Sequence, residues 1–550
     1  MAFWTTVMDS SRIRDASSVG RRLVPVMVDQ IAKEDPRRKI FSFPKSEDLK
    51  DGFQDLDFST FANAVNKTAF FIQREIGRSS MFETVLYMGD PDVRHFIALV
   101  ALMKTGHKVL FSSHHNSIAG HVDLIRRTDC AILLHTAGFS ISHIAEKCRM
   151  ETICMPELDY LLDDSQSCEH YPYNFTFEEA KNHPCVVVHT SGSTGMPKPV
   201  VWTHQALVHS DVHHKVPQFE GRPTIYGGVS DQGSRTFSAL PMSHGAGLLG
   251  GMVLSLFNKT TVVLGPPGPV TADTVSDIIE YGHIDSMKCV PVTLEDVAQR
   301  PDVLAKLKDL YHIIYVGGQL SKRAGDTITN YTHLYCSMAS TETTTIIQHA
   351  TDPNDWNYMM FNPDYNGIEM RPLGHLYELV FVRRPEIEEF QGIFKTFPKK
   401  KEYSMSDLYS KHPTKPHHWK YEGRKDGMII FKNGWNFNPL IHEQLIMAHT
   451  AVENCVLVGT GRDKPAAIIK LSKEYYTEDR EALEDLLDDI WENVEQANEL
   501  ADTAGQLEQE YVIWARNDKP FLIAGKGTVQ RKATIELYEH EVDELYRIRG

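Results

Sequence analysis

Short apolar runs alternate with amphipathic stretches from about residue 85 to residue 153. The runs predict strands at 84–88, 108–111 and 131–134, with helices between them at 95–103 and 118–127. Similar runs recur at 186–188, 261–264, 312–316 and 378–382. Alternation of this kind is typical of an α/β fold with parallel strands. The pattern therefore predicts mixed parallel sheets with helices packed on them.

The pattern changes near residue 423. A hairpin-like stretch at 427–434 leads into a helix from Pro439, a strand at 455–458 and an acidic helix from Thr477. Thr477 is the predicted N-cap of that helix, since Glu478 and Asp479 would occupy its first turn. We predict a large N-terminal core at 1–425 and a small α+β domain at 426–550.

Composition and charge exclude several classes of protein. The net charge of −16, from 57 basic and 73 acidic residues, would repel phosphate backbones and anionic lipid, so we expect neither nucleic-acid nor membrane binding. The longest apolar stretch, 245–257, is shorter than the roughly 20 residues that span a bilayer and predicts an interior helix. Residues 1–24 show no signal peptide, and the eight scattered cysteines form no C-x-x-C, which indicates reduced thiols in the cytoplasm.

A glycine- and hydroxyl-rich segment follows the predicted strand at 185–189. It has the sequence Thr190-Ser-Gly-Ser-Thr-Gly-Met-Pro-Lys198. Glycines let a backbone turn closely around phosphate oxygens, hydroxyls and amides donate hydrogen bonds to them, and lysine supplies charge. The segment does not fit the Walker A pattern. It predicts a phosphate-binding loop of another type.

This loop resembles that of the adenylate-forming (ANL) superfamily, which includes acyl-CoA synthetases, the adenylation domains of peptide synthetases, and luciferases. Further motifs follow in the family's order over nearly the whole chain. They are the acyl-pocket segment 240–247, the adenine-binding loop 315–318, Ser340-Thr-Glu342, Ser406-Asp407, Gly423-Arg-Lys-Asp426 and Gly525-Lys-Gly527. The resemblance implies activation of a carboxylic acid by ATP and Mg²⁺, with residues 426–550 forming a mobile lid.

The resemblance also implies a role for individual residues. Lys526 would be the catalytic lysine, acting with His244 and Glu342; Glu342 and Thr194 would hold magnesium; Asp426 would be the hinge. The acid pocket would include Ser238, His244, Gly245 and Gly318. The nucleotide would be bound by Thr190, Ser191, Gly192, Ser193, Thr194, Gly195, Lys198, Gly317, Gly318, Ser337, Met338, Thr341, Asp407 and Arg424.

Three positions depart from the family pattern. Met338-Ala339 replaces an aromatic residue followed by glycine, so a thioether would contact the adenine in place of a ring. Tyr377 and Ser406 stand where glycine is common. We expect these changes to alter affinity more than reaction type.

Four histidines follow the loop, at His204, His209, His213 and His214. No carboxylate or thiolate stands at ligand spacing from them, which disfavours a metal site. We expect them to lie on a solvated helix face.

The acid and the thiol are indicated less directly. Ser238 follows Phe237 where α-amino-acid adenylation domains carry an aspartate, and a buried ammonium without a partner is costly, so an aryl acid without an α-amino group is expected. His189, residues 196–200 and the end 525–532 most resemble fungal NRPS-like carboxylic acid reductases. Those proteins imply a phosphopantetheine carrier domain and an NADPH reductase domain as partners. The tail at 537–546 resembles the helix that leads to the carrier, so the chain is expected to be an isolated adenylation domain.

Two alternatives stay open. One is a free-standing aryl- or acyl-CoA ligase, which would form the thioester with CoA in the absence of a carrier. The other is a catalytically silent nucleotide-binding protein, against which the joint presence of Lys198, Glu342, Asp407, Arg424 and Lys526 argues.

Overall fold

A computed structural model gives the fold of the chain. It describes residues 18–114, 116–191, 196–231, 233–374, 376–432, 436–499, 505–523 and 529–549, with only the backbone of Ser191, Asp426, Asn436 and Ile441. Helices alternate with parallel strands in the N-terminal part and a smaller subdomain follows, so the α/β prediction is confirmed.

The first sheet is built from the early apolar runs. Its strands in spatial order are Glu151–Cys154, Ile132–His135, Thr84–Met88, Lys108–Phe111, Pro184–Ser191 and Pro197–Thr203; the last is antiparallel to its neighbour, and the others are parallel. Thr84–Met88 is buried at every position, as expected for a parallel strand covered on both faces. The helices of this part of the chain are Val24–Glu34, Phe58–Ile76, Arg94–Thr105, Ile118–Arg127, Ser142–Cys148, Leu158–Leu162, Phe177–Ala180 and His204–Leu207.

The second sheet has the order His333–Ser337, His312–Val316, Ser286–Cys289, Arg235–Ser238, Thr261–Leu264, Lys39–Pro44 and Phe53–Asp57, and only its last pair is antiparallel. The predicted interior helix is a buried helical stretch of three parts, Gly245–Leu248, a π-helical turn Leu249–Val253 and Leu254–Asn258. The other α-helices here are Ala272–Gly282, Pro291–Val297, Pro301–Lys306 and Lys322–Ile328.

The third sheet is wholly antiparallel. Its order is Gln348–His349, Tyr358–Phe361, His418–Arg424, Glu402–Lys411, Leu376–Val382 and Ile368–Leu373, accompanied by the short helices Pro363–Asn366 and Ile393–Thr396. The apolar run at 378–382 was therefore predicted correctly as a strand but wrongly as part of the parallel pattern. Apolar runs of five residues do not distinguish the two kinds of pairing, which depend on distant partners.

The C-terminal residues form their own core. A sheet of Val452–Val458, Ala466–Leu471 and Val512–Trp514 packs with the helices Pro439–Ile446, Arg480–Asn498, Arg531–Leu537 and Glu539–Arg549. The hairpin predicted at 427–434 pairs Ile429–Ile430 with Asn436–Phe437. The N-cap prediction is wrong: Asp479, not Thr477, accepts the hydrogen bond from Ala482 N, at 3.0 Å. The domain boundary at 425/426 stays a prediction.

Two general expectations can be compared with the described residues. No helix among them combines the length and the apolar composition that crossing a bilayer would require. All eight cysteines lie in the described part of the chain and are free.

Candidate active site

The carboxyl edge of the second sheet carries the predicted adenine-binding loop. Strand His312–Val316 ends at Gly317, whose φ of +95° is a conformation that favours glycine. On the neighbouring strand, Ser337 Oγ lies 2.7 Å from Tyr226 Oη, and Gln348 Oε1 accepts from Met338 N at 2.7 Å. Ligands of open parallel sheets bind at this edge. Tyr226 and Gln348 thus fix the end of the strand beside the loop.

Glu342 sits at the tip of a tight hairpin. Ala339–Ser340 pairs with Thr344–Thr345, and the turn is closed by Thr343 N donating to Ser340 Oγ (3.0 Å) and Ser340 N donating to Thr343 Oγ1 (3.2 Å). Glu342 itself is half-buried. Glu342 is thus held on a turn that these two hydrogen bonds close.

Two of the four histidines after the loop, His209 and His213, bond to this hairpin, and the prediction of a solvated helix face is wrong. His204, His209 and His213 are buried; His209 Nδ1 lies 3.1 Å from Thr344 Oγ1 and His213 Nε2 lies 3.0 Å from Thr345 Oγ1. Burial lowers the pKa of His209 to about 4. The sequence pattern predicts a surface position for these histidines because the hydroxyls that bond His209 and His213, on Thr344 and Thr345, are distant in sequence.

Asp407 and Arg424 face each other across two strands of the third sheet. They are paired in register, with Asp407 Oδ1 4.0 Å from Arg424 Nη1; the aspartate is buried, whereas about half of the arginine side chain is exposed. Ser406, just before the aspartate, has φ of +58°. This left-handed conformation explains why glycine is common there and costs serine about 1 kcal/mol.

Tyr403 marks where three predicted site residues converge. Burial raises the pKa of Tyr403 to about 12, and the nearby charges of Glu342, Arg424 and Asp407 act on the same hydroxyl. Asp407, Arg424 and Tyr403 lie on two neighbouring strands of the third sheet, and Glu342 lies on the hairpin. The structure thus brings together the predicted magnesium carboxylate and the predicted ribose-binding pair.

The start of the phosphate loop lies at the end of strand Pro184–Ser191, where Thr190 pairs in register with the exposed Lys198. His189 Nε2 accepts from Ser113 N at 3.1 Å and lies 3.2 Å from Asn116 Nδ2. Burial lowers the pKa of His189 to about 4, with further contributions from nearby His244 and His121. The acyl-pocket histidine therefore lies near the start of the phosphate loop.

Trp202 connects the acyl segment to the Glu342 hairpin. His244 caps the short helix Gly245–Leu248, its Nδ1 accepting from Ala246 N at 3.2 Å. A Cβ on Gly245 would lie 2.7 Å from the Trp202 ring, which only glycine avoids. The same indole, fully buried, donates from Nε1 to the carbonyl of Thr341 at 2.8 Å. Trp202 thereby packs the acyl segment against the hairpin.

A mostly apolar pocket lies between the Gly245–Asn258 helical stretch and the second sheet. Ser238, at the end of its strand, is buried, and its Oγ has no hydrogen-bond partner among the described residues. Its partner in register is Lys288. The pocket is lined by Tyr226, Leu240, Ala246, Leu249, Gly250, Leu254, Lys288, Ile314, Val316, Ala339 and Thr345.

Several predicted site residues lie outside the described residues: Gly192, Ser193, Thr194, Gly195 and Lys526, and also the side chain of Asp426. Within the described ranges, no group of three or more His, Cys, Asp and Glu side chains could hold a metal ion. Magnesium commonly takes only one or two carboxylates together with substrate phosphates and water. Glu342 fits that kind of site.

Trp202, Tyr403 and Lys288 were missed by the sequence analysis. Trp202 contacts the acyl segment and the hairpin from another element, and Tyr403 precedes Asp407 on the same strand; no local pattern marks either residue. Lys288 did carry a signal, since a lysine inside a parallel strand interrupts the continuous apolar run expected there.

Comparisons with known proteins place this geometry in context. A family model described as AMP-binding enzyme matches residues 28–361, and one described as AMP-binding enzyme C-terminal domain matches residues 426–549. A carboxylic acid reductase of Neurospora crassa is 35% identical over 96% of this chain and 51% of its own length. The isocyanide synthase-NRPS hybrid crmA of Aspergillus fumigatus is 32% identical over 96% of this chain and 34% of its own.

The fold also matches solved structures. One is o-succinylbenzoate CoA synthetase of Bacillus subtilis in complex with ATP and magnesium, with a TM-score of 0.67, 16% identity and coverage of 92% of this chain and 98% of that one. At this identity the match concerns the fold alone. The chain spans about half the length, or less, of the two relatives named above.

Proposed function

Because this chain belongs to the AMP-binding enzymes of the adenylate-forming superfamily and is an acid-activating ligase, we propose a more specific function for it. It activates an aryl acid as the acyl-adenylate and passes the acyl group to the phosphopantetheine thiol of a carrier domain, as the adenylation part of a carboxylic acid reductase. The observation that carries the proposal is the convergence of Glu342, Asp407 and Arg424 around Tyr403, beside the apolar pocket.

In the first half-reaction an oxygen of the acid's carboxylate bonds to the α-phosphorus of ATP, and the bond from that phosphorus to pyrophosphate breaks. Asp407, a buried carboxylate beside Arg424, would accept hydrogen bonds from the ribose hydroxyls. The carboxylate of Glu342 would hold magnesium, which neutralises phosphate oxygens when bound. Thr190, Lys198 and residues 191–195 would contact the phosphates, and Lys526 would bridge the carboxylate and the α-phosphate.

The pocket supports an acid without an α-amino group. Ser238 cannot neutralise an ammonium, and its neighbour in register is a second cation, Lys288. An ammonium group there would be buried beside a like charge, which is unfavourable. The mostly apolar lining, with the small residues Ala246 and Gly250, would suit a flat ring.

In the second half-reaction a thiol sulfur attacks the acyl carbon and AMP leaves. We propose that the lid, residues 426–550, rotates about Asp426 between the two steps. The carrier thiol is favoured over CoA by the identity to the N. crassa reductase, which extends over 96% of this chain. The tail helix Glu539–Arg549 packs Val542 and Tyr546 into the core of the lid, so a carrier following it would move with the lid.

The thiol acceptor is tested with the purified chain, ATP, an activated acid, CoA and a separate phosphopantetheinylated carrier domain in one reaction. Intact-mass spectrometry should show acyl-carrier forming faster than acyl-CoA. Apo carrier, which lacks the phosphopantetheine thiol, is the matched control and should stay unacylated. Predominant acyl-CoA would show a free-standing CoA ligase instead.

Glu342→Gln is expected to raise the magnesium concentration needed for half-maximal ATP–pyrophosphate exchange by about tenfold, equivalent to about 1.4 kcal/mol. The amide keeps the size of the side chain but loses the charge that attracts the ion. The measurement is a magnesium titration at fixed ATP and acid. The control is Glu369→Gln, at a surface glutamate paired with Arg371. If the magnesium titration curves of Glu342→Gln and wild type superimpose, Glu342 is not the magnesium ligand.

A further inference from the structure

Lys288 is an ammonium in the interior of the second sheet. It lies on the strand Ser286–Cys289, with only 5% of its surface exposed. The register places Ser238, Lys288, Ile314 and Tyr335 in one row across four adjacent parallel strands. Residues paired in this way point to the same face of a sheet. That face is the wall of the apolar pocket.

The other deeply buried lysines of this protein are neutralised or hydrogen-bonded. Lys104 Nζ lies 2.6 Å from Asp29 Oδ1 and 3.0 Å from both Asn66 Oδ1 and the carbonyl of Tyr171. Lys67 Nζ donates to the carbonyls of Tyr160 and Asp163 at 2.9 and 2.7 Å. Lys288 Nζ makes no hydrogen bond and no ion pair with any residue that the structure describes. An unpaired charge in an apolar interior destabilises a fold, so its presence indicates a ligand.

The ammonium stays charged near neutral pH. Burial lowers the pKa of Lys288 to about 8, and no acidic group contributes to the shift. Below that pH the protonated form predominates. The side chain therefore presents a positive charge and its N–H donors to the pocket.

The helix opposite leaves room for this side chain. A Cβ on Gly250 would lie 3.6 Å from Lys288 Cδ and 4.0 Å from Ser238 Oγ, so a larger side chain there would fill the space between them. Ser238 Oγ also lacks a partner among the described residues. Two unsatisfied polar groups thus border the same small space in an otherwise apolar wall.

The position of Lys288 indicates which part of a ligand it would meet. The pocket also contains Ala246, two residues after His244, and Ala339, three residues before Glu342, so it adjoins the site of adenylation. Lys288 pairs with Ile314, which is two residues before Val316 at the carboxyl edge of the sheet. Two residues of strand correspond to about 7 Å, which sets Lys288 back from the reacting end.

We propose that Lys288 binds a carboxylate at the far end of the acid substrate, with Ser238 as a second donor, and that the preferred substrates are dicarboxylic acids with an aromatic spacer. This inference rests on the acid-activating function proposed above and specifies its substrate class. One carboxylate would react with ATP while the other would neutralise Lys288.

Acids of equal shape and different charge test the proposal. ATP–pyrophosphate exchange is measured with terephthalate and 4-nitrobenzoate, and with 4-carboxycinnamate and 4-nitrocinnamate, since nitro is a neutral, planar counterpart of carboxylate. Wild type should favour the carboxylate member of at least one pair by about tenfold or more in kcat/KM. Lys288→Met, similar in length but neutral, should lose that preference, so that kcat/KM for the carboxylate member falls to that for the nitro member. Lys308→Met, on an exposed lysine, is the control.

The outcomes distinguish a failure of the proposed role of Lys288 from a failure of the proposed acid-activating function. Equal exchange with both members of each pair, unchanged in Lys288→Met, would overturn the role of Lys288 while leaving acid activation intact. If none of the tested acids supports exchange, the proposed function is contradicted. Calorimetric binding of terephthalate to wild type and to Lys288→Met would still test the role of Lys288 directly. Lys288→Met should melt no lower than wild type, because it removes an unpaired buried charge. If it does not fold, Ser238→Asp supplies a competing carboxylate beside an unchanged Lys288 and should abolish the preference.

Discussion

Replacing Lys526 by alanine is expected to lower acid-dependent ATP–pyrophosphate exchange about 100- to 1,000-fold, which corresponds to about 2.7–4 kcal/mol of barrier. Its charge would stabilise the oxygens of the α-phosphate as the acid attacks, and no other group would replace it. The residue lies outside the described residues, between Ile523 and Val529, which form an antiparallel bridge. The prediction rests on the Gly-Lys-Gly sequence and on its order after the other motifs.

The control for Lys526→Ala is Lys532→Ala, which removes a lysine from the same part of the lid. Lys532 is exposed and lies 3.8 Å from Glu536 in a surface ion pair, so its loss should leave exchange unchanged. Both variants should have the melting temperature of wild type. Exchange by Lys526→Ala at close to the wild-type rate would show that another group acts on the α-phosphate.

Asp407→Ala is expected to raise the KM for ATP about 100-fold, since hydrogen bonds to a charged acceptor contribute about 1.5–3 kcal/mol each and a ribose would donate two. The carboxylate is buried, whereas about half of the Arg424 side chain is exposed. The variant therefore leaves no buried charge without a partner and should fold. Initial rates of exchange at varied ATP measure the effect. Asp407→Asn should fall between wild type and alanine.

Glu402→Ala is the matched control for Asp407. It lies on the same strand, is exposed and pairs with Arg371 at the surface. It should leave the KM for ATP unchanged. An equal effect of Asp407→Ala and Glu402→Ala would mean that the strand's stability, and not ribose binding, was measured.

Much of the fold was predictable because the parallel strands carry their own signal. Thr84–Met88 and Lys108–Phe111 match the predicted bounds, since a strand buried on both faces is continuously apolar. The antiparallel strand Leu376–Val382 gave the same signal, and its pairing depends on residues as distant as Tyr409. The cap of the acidic helix was misplaced by two residues, because Thr477 and Asp479 are both good caps and only the backbone decides between them.

The site was predictable where its residues stand in contiguous motifs. Glu342, Asp407 and Arg424 were each identified by their immediate neighbours in sequence, and the structure then brings all three near Tyr403. Trp202 was not, because its contacts with Gly245 and Thr341 exist only after three segments have packed together. The histidines His209 and His213 were misjudged for the same reason, since the hydroxyls that bond them lie more than 130 residues away.

The central claim is that this chain joins a carboxylic acid to AMP. The most direct measurement is acid-dependent exchange of labelled pyrophosphate into ATP, with purified protein, magnesium and an aryl acid, and with no thiol present. We expect exchange that requires both the acid and magnesium, together with an acyl-adenylate detectable by mass spectrometry. ATP binding without exchange, for benzoates, cinnamates, aliphatic acids and amino acids alike, would contradict it.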